Sequence, residues 1–268
     1  MRKRSDKWVK YNYIFNSINT ETEAYMLGLL YADGCVSYKE GRTRNYQVLL
    51  HLQKQDKELL DKLNSYISNE TTVVESKSTF YLRFSSKEMC GNLIKLGCLS
   101  NKTYKTLSLP FINPELIRHF IRGYFDGDGT VYIDRKWLRT NICSVSLSFL
   151  EEIKVILENT GIQCRINTEK RKNKSFRTPQ NTYSTNCMDM HRLFVTKGKE
   201  IDKFFQYMYQ DSTIFLTRKH NKFIDYANRE VNDGYKKTSS PQSIDTEPKK
   251  LEYNVSTSTQ LPTFYGGR

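Results

Sequence analysis

Hydrophobic and polar positions along this chain follow two periods, and the order of those periods repeats. Over residues 20–33 the apolar positions are helical. Thr20 and Glu23 stand at capping-box spacing, and Ala24, Gly28 and Ala32 follow at four-residue steps. The pattern then alternates every second residue over 34–39 and 45–54, which predicts two strands. Asp56 reads as the cap of a helix over 57–67, followed by strands over 72–76 and 79–85 and a helix over 87–96. Asn113-Pro114-Glu115 then supplies an N-cap, a proline at the first helical position and an early acid. In the helix it opens, His119, Gly123 and Gly127 repeat the four-residue spacing. Strands over 130–135 and 138–147, a helix over 149–159 opened by Ser148 with Glu151, strands over 163–170 and 182–188, and a helix over 197–209 complete the second series.

The predicted fold class is therefore α+β, built as two pseudo-symmetric αββαββα repeats. The expected domains are 1–112 and 113–231. Residues 232–268, rich in Ser, Thr, Pro and Lys without a hydrophobic period, read as a flexible tail.

The first helix of each repeat carries the same short motif, MLGLLYADG at 26–34 and IRGYFDGDG at 121–129. A glycine inside a helix costs about 1 kcal/mol relative to alanine, so two at equivalent places need a reason. Small residues four apart let helix backbones approach closely. Packing the Gly28/Ala32 stripe on the Gly123/Gly127 stripe would make these helices the seam between the halves, with Asp33 and Asp128 side by side at its end. That place is electrostatically poor for acids. A carboxylate at a helix C-terminus opposes the macrodipole, and two neighbouring carboxylates repel. A hard divalent cation such as Mg2+ compensates both effects, and between two acids it is suited to phosphodiester hydrolysis. One Asp-Gly pair could simply end a helix; two equivalent pairs argue for a shared site.

Composition narrows the partner. The 268 residues have a formal charge of +13 and a pI of about 9.3, and no apolar run is long enough to span a membrane. From residue 230 onward five basic side chains balance five acidic ones, so the excess lies in 1–229 and points to a polyanion. The basic start lacks the apolar core of a signal peptide, so the chain is expected to be intracellular and not secreted. The six scattered cysteines are expected to be reduced, and mostly core residues. His51 and His191 have no visible nucleophile partner and read as structural.

These motifs resemble the LAGLIDADG homing endonucleases of the single-chain, two-motif kind. The resemblance covers residues 12–229 and includes LGCLSNKTYKTLSLP before the second motif and YMYQDSTIFLTRKHNKF near the end of the second domain. It implies two antiparallel sheets forming a saddle over double-stranded DNA. It also implies site-specific, metal-dependent cleavage of both strands across the minor groove at a long asymmetric target, leaving 3′ overhangs. Asp33 and Asp128 then match the metal-binding catalytic acids, Ala32 and Gly127 lend carbonyl ligands, and Mg2+ or Mn2+ is the cofactor. Lys102 and Lys219 match basic residues near the scissile phosphate, while Tyr31 replaces the earlier, non-catalytic aspartate of the name motif. Candidate phosphate or base contacts are Arg42, Arg44, Gln47, Arg83, Arg135, Arg139 and Arg165, with Lys170, Arg171, Lys172, Lys174 and Arg177 in a basic insertion. The chain is expected to work as a monomer. Without splicing residues at its ends it reads as free-standing or intron-encoded rather than an intein.

Three other readings compete. An intron RNA maturase or a non-cleaving DNA-binding regulator would keep the fold and change the job, with host intron RNA as a second candidate partner of the former. Asp126-Gly127-Asp128-Gly129-Thr130-Val131 also fits the DxDGT motif of haloacid-dehalogenase-like phosphatases, which requires the end of a parallel strand. The preceding helical pattern argues against that, and Val131 and Trp137 break an EF-hand loop begun at Asp126.

Overall fold

The computed structural model describes residues 13–38, 46–67, 72–98, 107–178, 182–186, 188–196 and 198–238, with side chains described up to Arg229. Arg42, Arg44, Lys102 and the tail beyond 238 lie outside the described residues.

Helix α1 (Glu21–Ala32) starts as its sequence dictates: the Thr20 side chain accepts from Glu23 N–H, and the Glu23 carboxylate accepts from Thr20 N–H. Strands β1 (Gly34–Ser37) and β2 (Gln47–Gln53) follow, then a 3-10 turn (Lys54–Asp56) and α2 (Lys57–Ile67). After β3 (Val74–Glu75) and β4 (Thr79–Phe84), α3 (Lys87–Lys95) closes the first repeat, capped by Ser86. In the second repeat Asn113 caps a 3-10 turn (Pro114–Leu116) that runs into α4 (Ile117–Asp128). Next come β5 (Gly129–Asp134), β6 (Trp137–Ser144), α5 (Leu147–Asn159), β7 (Arg165–Glu169), β8 (Ser175–Arg177), β9 (Tyr183–Thr185), β10 (Met190–Val195) and α6 (Gly198–Tyr209). A last helix, α7, spans Thr217–Thr238.

Both four-stranded sheets are antiparallel and wired alike, β1-β2-β4-β3 and β5-β6-β10-β7. Each buries one face: Val36, Val48, Leu50, Leu52, Leu82 and Phe84 in the first, Val131, Leu138, Ile142, Leu193 and Val195 in the second. Period-2 alternation leaves the other face of each sheet to solvent. Helices α1 and α4 pack on each other as the seam of one continuous core.

The structure corrects three local readings and adds a partner for Asp56. The stretch expected as a strand over 182–188 contributes only Tyr183–Thr185, which pairs with β8 in a separate two-stranded ribbon; the sheet takes Met190–Val195 instead. Helix α5 starts at Leu147 after Ser146, so Ser148 lies inside its first turn. Asp56, directly before α2, is buried, and both its oxygens accept from Arg218 Nε at 3.0 Å. Helix α7 continues past residue 232, where composition had placed the start of the tail.

Candidate active site at the seam of the motif helices

The two motif copies are offset by a constant 95 positions (Gly28 to Gly123, Asp33 to Asp128). The seam obeys that symmetry. A Cβ on Gly28 would lie 2.8 Å from Tyr124 N, 2.9 Å from Phe120 C, and closer still to Phe120 O. One on Gly123 would lie 2.9 Å from Leu29 N, 2.8 Å from Tyr25 C, and closer still to Tyr25 O. Phe120 and Tyr124 are the 95-offset equivalents of Tyr25 and Leu29, so each glycine admits the same stretch of the opposing backbone. Only glycine allows backbones this near.

That contact brings the motif ends together. A Cβ on Gly127 would sit 3.0 Å from Asp33 Oδ2 and even nearer the Ala32 methyl. Asp33 is the C-cap of α1, with its N–H on the Leu29 and Leu30 carbonyls, and Asp128 is the last residue of α4. Both aspartates act electrostatically on the same ammonium group, Lys219. Asp128 also borders a cavity of about 240 Å3 lined by Tyr31, Ala32, Leu107, Tyr124, Cys143, Ser144, Val145 and Met190. Burial, reinforced by Asp128, raises the Tyr124 phenol well above its ordinary range, and its Oη donates to Cys143 O at 3.0 Å.

Lys219, expected near the scissile phosphate, lies at the end of α4 within electrostatic reach of both acids. It is buried, and its Nζ donates to four carbonyls at the end of α4: Phe125 (2.8 Å), Asp126 (2.7 Å), Gly127 (3.2 Å) and Gly129 (2.5 Å). A cation there answers the negative end of the helix dipole and satisfies carbonyls the helix cannot. Burial pushes its pKa down to about 8, Arg218 pushes the same way, and Asp126, Asp33 and Asp128 pull it back up. The Gly127 carbonyl, expected as a metal ligand, is thus already engaged by an ammonium.

Two buried groups that sequence reasoning did not single out support this end of the seam. The Asp126 carboxylate accepts from Tyr25 Oη (2.8 Å), Tyr209 Oη (3.0 Å) and Leu216 N–H (2.7 Å). The Arg122 guanidinium, wholly buried, donates to Glu21 (2.6 Å), Met208 O (2.6 Å) and Ile214 O (3.0 Å), and contacts His119 Nδ1 at 2.8 Å. Glu21 also accepts from Thr213 N–H and Oγ1 at 2.8 Å. Burial, Arg122 and Arg118 lower His119 to about 4 against the pull of Glu21. Apart from His119, one helical turn from Arg122, their partners lie too far away in sequence for any spacing to announce them; helical position alone flags Arg122 as a charge on a buried face.

The candidate polyanion contacts fall into three groups. Gln47 and Arg83 lie on the solvent face of the first sheet, where His51 stacks on Tyr81. Arg139 and Arg165 lie on the matching face of the second, opposite Tyr132 and Phe194 respectively, and the Arg165 guanidinium sits 5.9 Å from the Phe194 ring. Arg192, on the same face and paired with Glu169 at 2.6 Å, was missed because its strand was misplaced. Arg135 is at a turn with φ 57°, not within a strand. Asp189 accepts from the N–H groups of Arg171 and Lys172 at 2.8 and 2.9 Å, fixing the base of the ribbon. Lys170, Arg171 and Lys174 line a second hollow there of about 470 Å3. Lys172 is exposed between them, and Arg177 pairs across the ribbon with exposed Tyr183.

The DxDGT-like run sits at the end of a helix, and each main sheet is antiparallel, so the phosphatase arrangement is absent from the described residues. What remains is one chain with duplicated αββαββα halves and an acid from each half at a glycine-packed seam. Residues 115–209 match the family model of the LAGLIDADG-like domain. That match lies in the second repeat, and with the motif copy in the first repeat the chain is similar to LAGLIDADG proteins of the single-chain, two-motif kind. Its fold is shared with the meganuclease I-SmaMI bound to uncleavable DNA, at 14% identity and a TM-score of 0.52 over 82% of this chain and 92% of that one. It is shared too with the I-SmaMI LAGLIDADG homing endonuclease bound to cleaved DNA, at 14% identity and a TM-score of 0.50 over 84% of this chain and 93% of that one. A curated relative, a probable translation initiation factor IF-2 of Methanocaldococcus jannaschii, is 28% identical over 178 residues. That stretch is 63% of this chain and 14% of that protein. Among the described residues no helix is long and apolar enough to cross a membrane.

Proposed function

We propose that this chain is a site-specific, divalent-metal-dependent endonuclease that cuts both strands of a long, asymmetric double-stranded DNA target and works as a monomer. The observation that carries this reading is the meeting of Asp33 and Asp128, one acid from each repeat, at a seam whose glycines leave no room for a side chain. One chain supplies both acids, so no second copy is needed.

The donor set fits a hard divalent cation such as Mg2+ or Mn2+. Two carboxylates, one from each repeat, stand at the end of the seam, and hard oxygen donors suit such a cation. Such a cation would be held by Asp33 and Asp128, with the Ala32 carbonyl as a further candidate ligand and substrate phosphate and water filling the rest. When bound, the metal supplies Lewis acidity that activates water and screens the departing oxygen. The chain's own residues do the remaining work. Lys219 offsets the carbonyl charge at the end of α4, next to Asp128. Gln47, Arg83, Arg139, Arg165 and Arg192 stand on the exposed sheet faces to take phosphates and base edges. The two faces differ residue by residue, which makes an asymmetric target the expected one.

The test is incubation of the protein, with and without Mg2+, with a plasmid library of randomised sites, followed by sequencing of cut ends. Metal-dependent ends with 3′ overhangs at one long motif support the reading. Specific binding without cutting refutes it and favours a regulator. RNA-dependent stimulation of intron splicing without DNA cleavage favours a maturase.

A further inference from the structure

The two halves share their seam but not what holds it. At the position two before the acid, the first motif has Tyr31 and the second has Asp126. Tyr31 turns its hydroxyl to Leu96 O and packs against Phe120 and Phe149, contacts that end within the protein core. Asp126 instead gathers three elements. Tyr25 comes from α1, Tyr209 ends α6, and Leu216 N–H stands at the mouth of α7.

The Leu216 bond matters most. Leu216 O accepts from Lys219 N–H at 3.0 Å and His220 N–H at 3.1 Å, so Leu216 lies where the turns of α7 begin. A carboxylate on its N–H is a helix N-cap supplied from another element, favoured by the positive end of the dipole. Three residues on, Lys219 returns from the first turn of α7 to the carbonyls flanking Asp126 and Asp128. The loop is closed. Asp126 fixes where α7 starts, α7 delivers Lys219, and Lys219 holds the end of α4 that carries Asp128.

We propose that Asp126 is the positioning residue of the second half-site, so that one of the two strand cuts depends on it and the other does not. The inference rests on the endonuclease reading above. It assigns Asp126 no contact with DNA or metal, since its oxygens are taken up inside the protein.

The experiment is single-turnover cleavage of a duplex bearing the selected target, each strand separately labelled, by the native chain and by Asp126→Asn. Asparagine keeps the shape and one acceptor oxygen, and the Tyr209 hydroxyl can rotate to accept from its amide. The change therefore removes charge more than packing. The expected result is a rate loss of about tenfold or more on one strand, the scale of a small misplacement of a reacting group, with the other strand unaffected, nicked plasmid accumulating and DNA affinity unchanged. Equal slowing of both strands, or of neither, overturns the inference while leaving the endonuclease reading intact. No cleavage by the native chain overturns the reading itself. If Asp126→Asn melts early, Tyr25→Phe decides, because it deletes a single hydroxyl from the same carboxylate. The same strand should slow by a smaller factor, and an unbiased Tyr25→Phe overturns the proposal.

Discussion

The closeness of the motif helices can be weighed with two alanine substitutions of opposite expected sign. Gly123→Ala places a methyl 2.8 Å from Tyr25 C and 2.9 Å from Leu29 N, with Tyr25 O nearer still. These are backbone atoms of a helix and cannot swing aside as a side chain would. Restoring ordinary contact requires the helices to part by more than about half an ångström, and a gap of that size forfeits a quarter or more of each dispersion contact across it. Overpacking of this kind costs about 1–3 kcal/mol. The better helix propensity of alanine offsets about 1 kcal/mol. With backbone atoms on both sides of the new methyl, the cost falls at or beyond the upper end of the overpacking range, and we expect a net loss of about 2 kcal/mol.

Gly91 lies inside α3, and a Cβ there would meet nothing within 4 Å. Gly91→Ala should therefore gain about 1 kcal/mol, from helix propensity alone. At about 2–4 °C per kcal/mol for a domain of this size, thermal unfolding followed by circular dichroism should fall by roughly 4–8 °C for Gly123→Ala and rise by roughly 2–4 °C for Gly91→Ala. A Gly123→Ala protein as stable as the parent would refute the seam, because no flexible group is available to absorb the methyl.

Further expectations address the chemistry and the buried charges. Asp128→Asn should lose cleavage while retaining DNA affinity in a mobility-shift titration; normal cutting would remove Asp128 from the site. Arg122→Leu should cost about 3–5 kcal/mol in urea unfolding, because it leaves Glu21 unpaired and strips donors from the Met208 and Ile214 carbonyls. A cost below about 1 kcal/mol would show that this buried pair contributes little. For His119, the folded pKa of about 4 lies below the unfolded 6.5, so the unfolded chain binds the proton first. Its contribution is present in full above pH 6.5 and is lost as pH falls from 6.5 to 4, by at most about 3 kcal/mol. Glu21, its carboxyl held down by Thr213, Arg122 and His119 against burial, adds to the loss at lower pH. His119→Phe should flatten the upper part of that decline.

The sequence disclosed what depends on near neighbours. Thr20 and Glu23, or Asn113 and Pro114, announce helix starts because capping is settled within four residues. Strand β10 was harder. Phe194, an apolar residue on the exposed face, interrupts the alternation set by Leu193 and Val195, while the β-favouring residues Tyr183–Thr185 form a strand that stays exposed. The repeated Gly and Asp positions revealed that two acids should meet, and the structure supports the close approach that requires. It did not reveal where Lys219 points. A lysine in an amphipathic helix looks the same whether it faces phosphate or a set of carbonyls ninety-odd positions away. Asp126 was legible only as part of a misleading phosphatase-like string, since its donors are 83 to 101 positions distant.

The duplication therefore separates two kinds of requirement. Where the halves touch, each must present the same shape to its mirror, and Gly28 and Gly123 meet that requirement with identical residues. Changing one alone would push back both helices and both acids. Away from the seam no such reciprocity acts. The exposed face around Gln47, His51 and Arg83 can differ freely from that around Arg139, Arg165 and Arg192, and the second half can carry a ribbon between β7 and β10 where the first has only a short turn between β3 and β4. Asp126 marks the boundary between these regimes. It lies on a seam helix, yet its partners Tyr209 and Leu216 belong to the outer segment of the second half. A symmetric pair of acids thus rests on an asymmetric support, and the two strands of a bound duplex would meet half-sites of unequal rigidity.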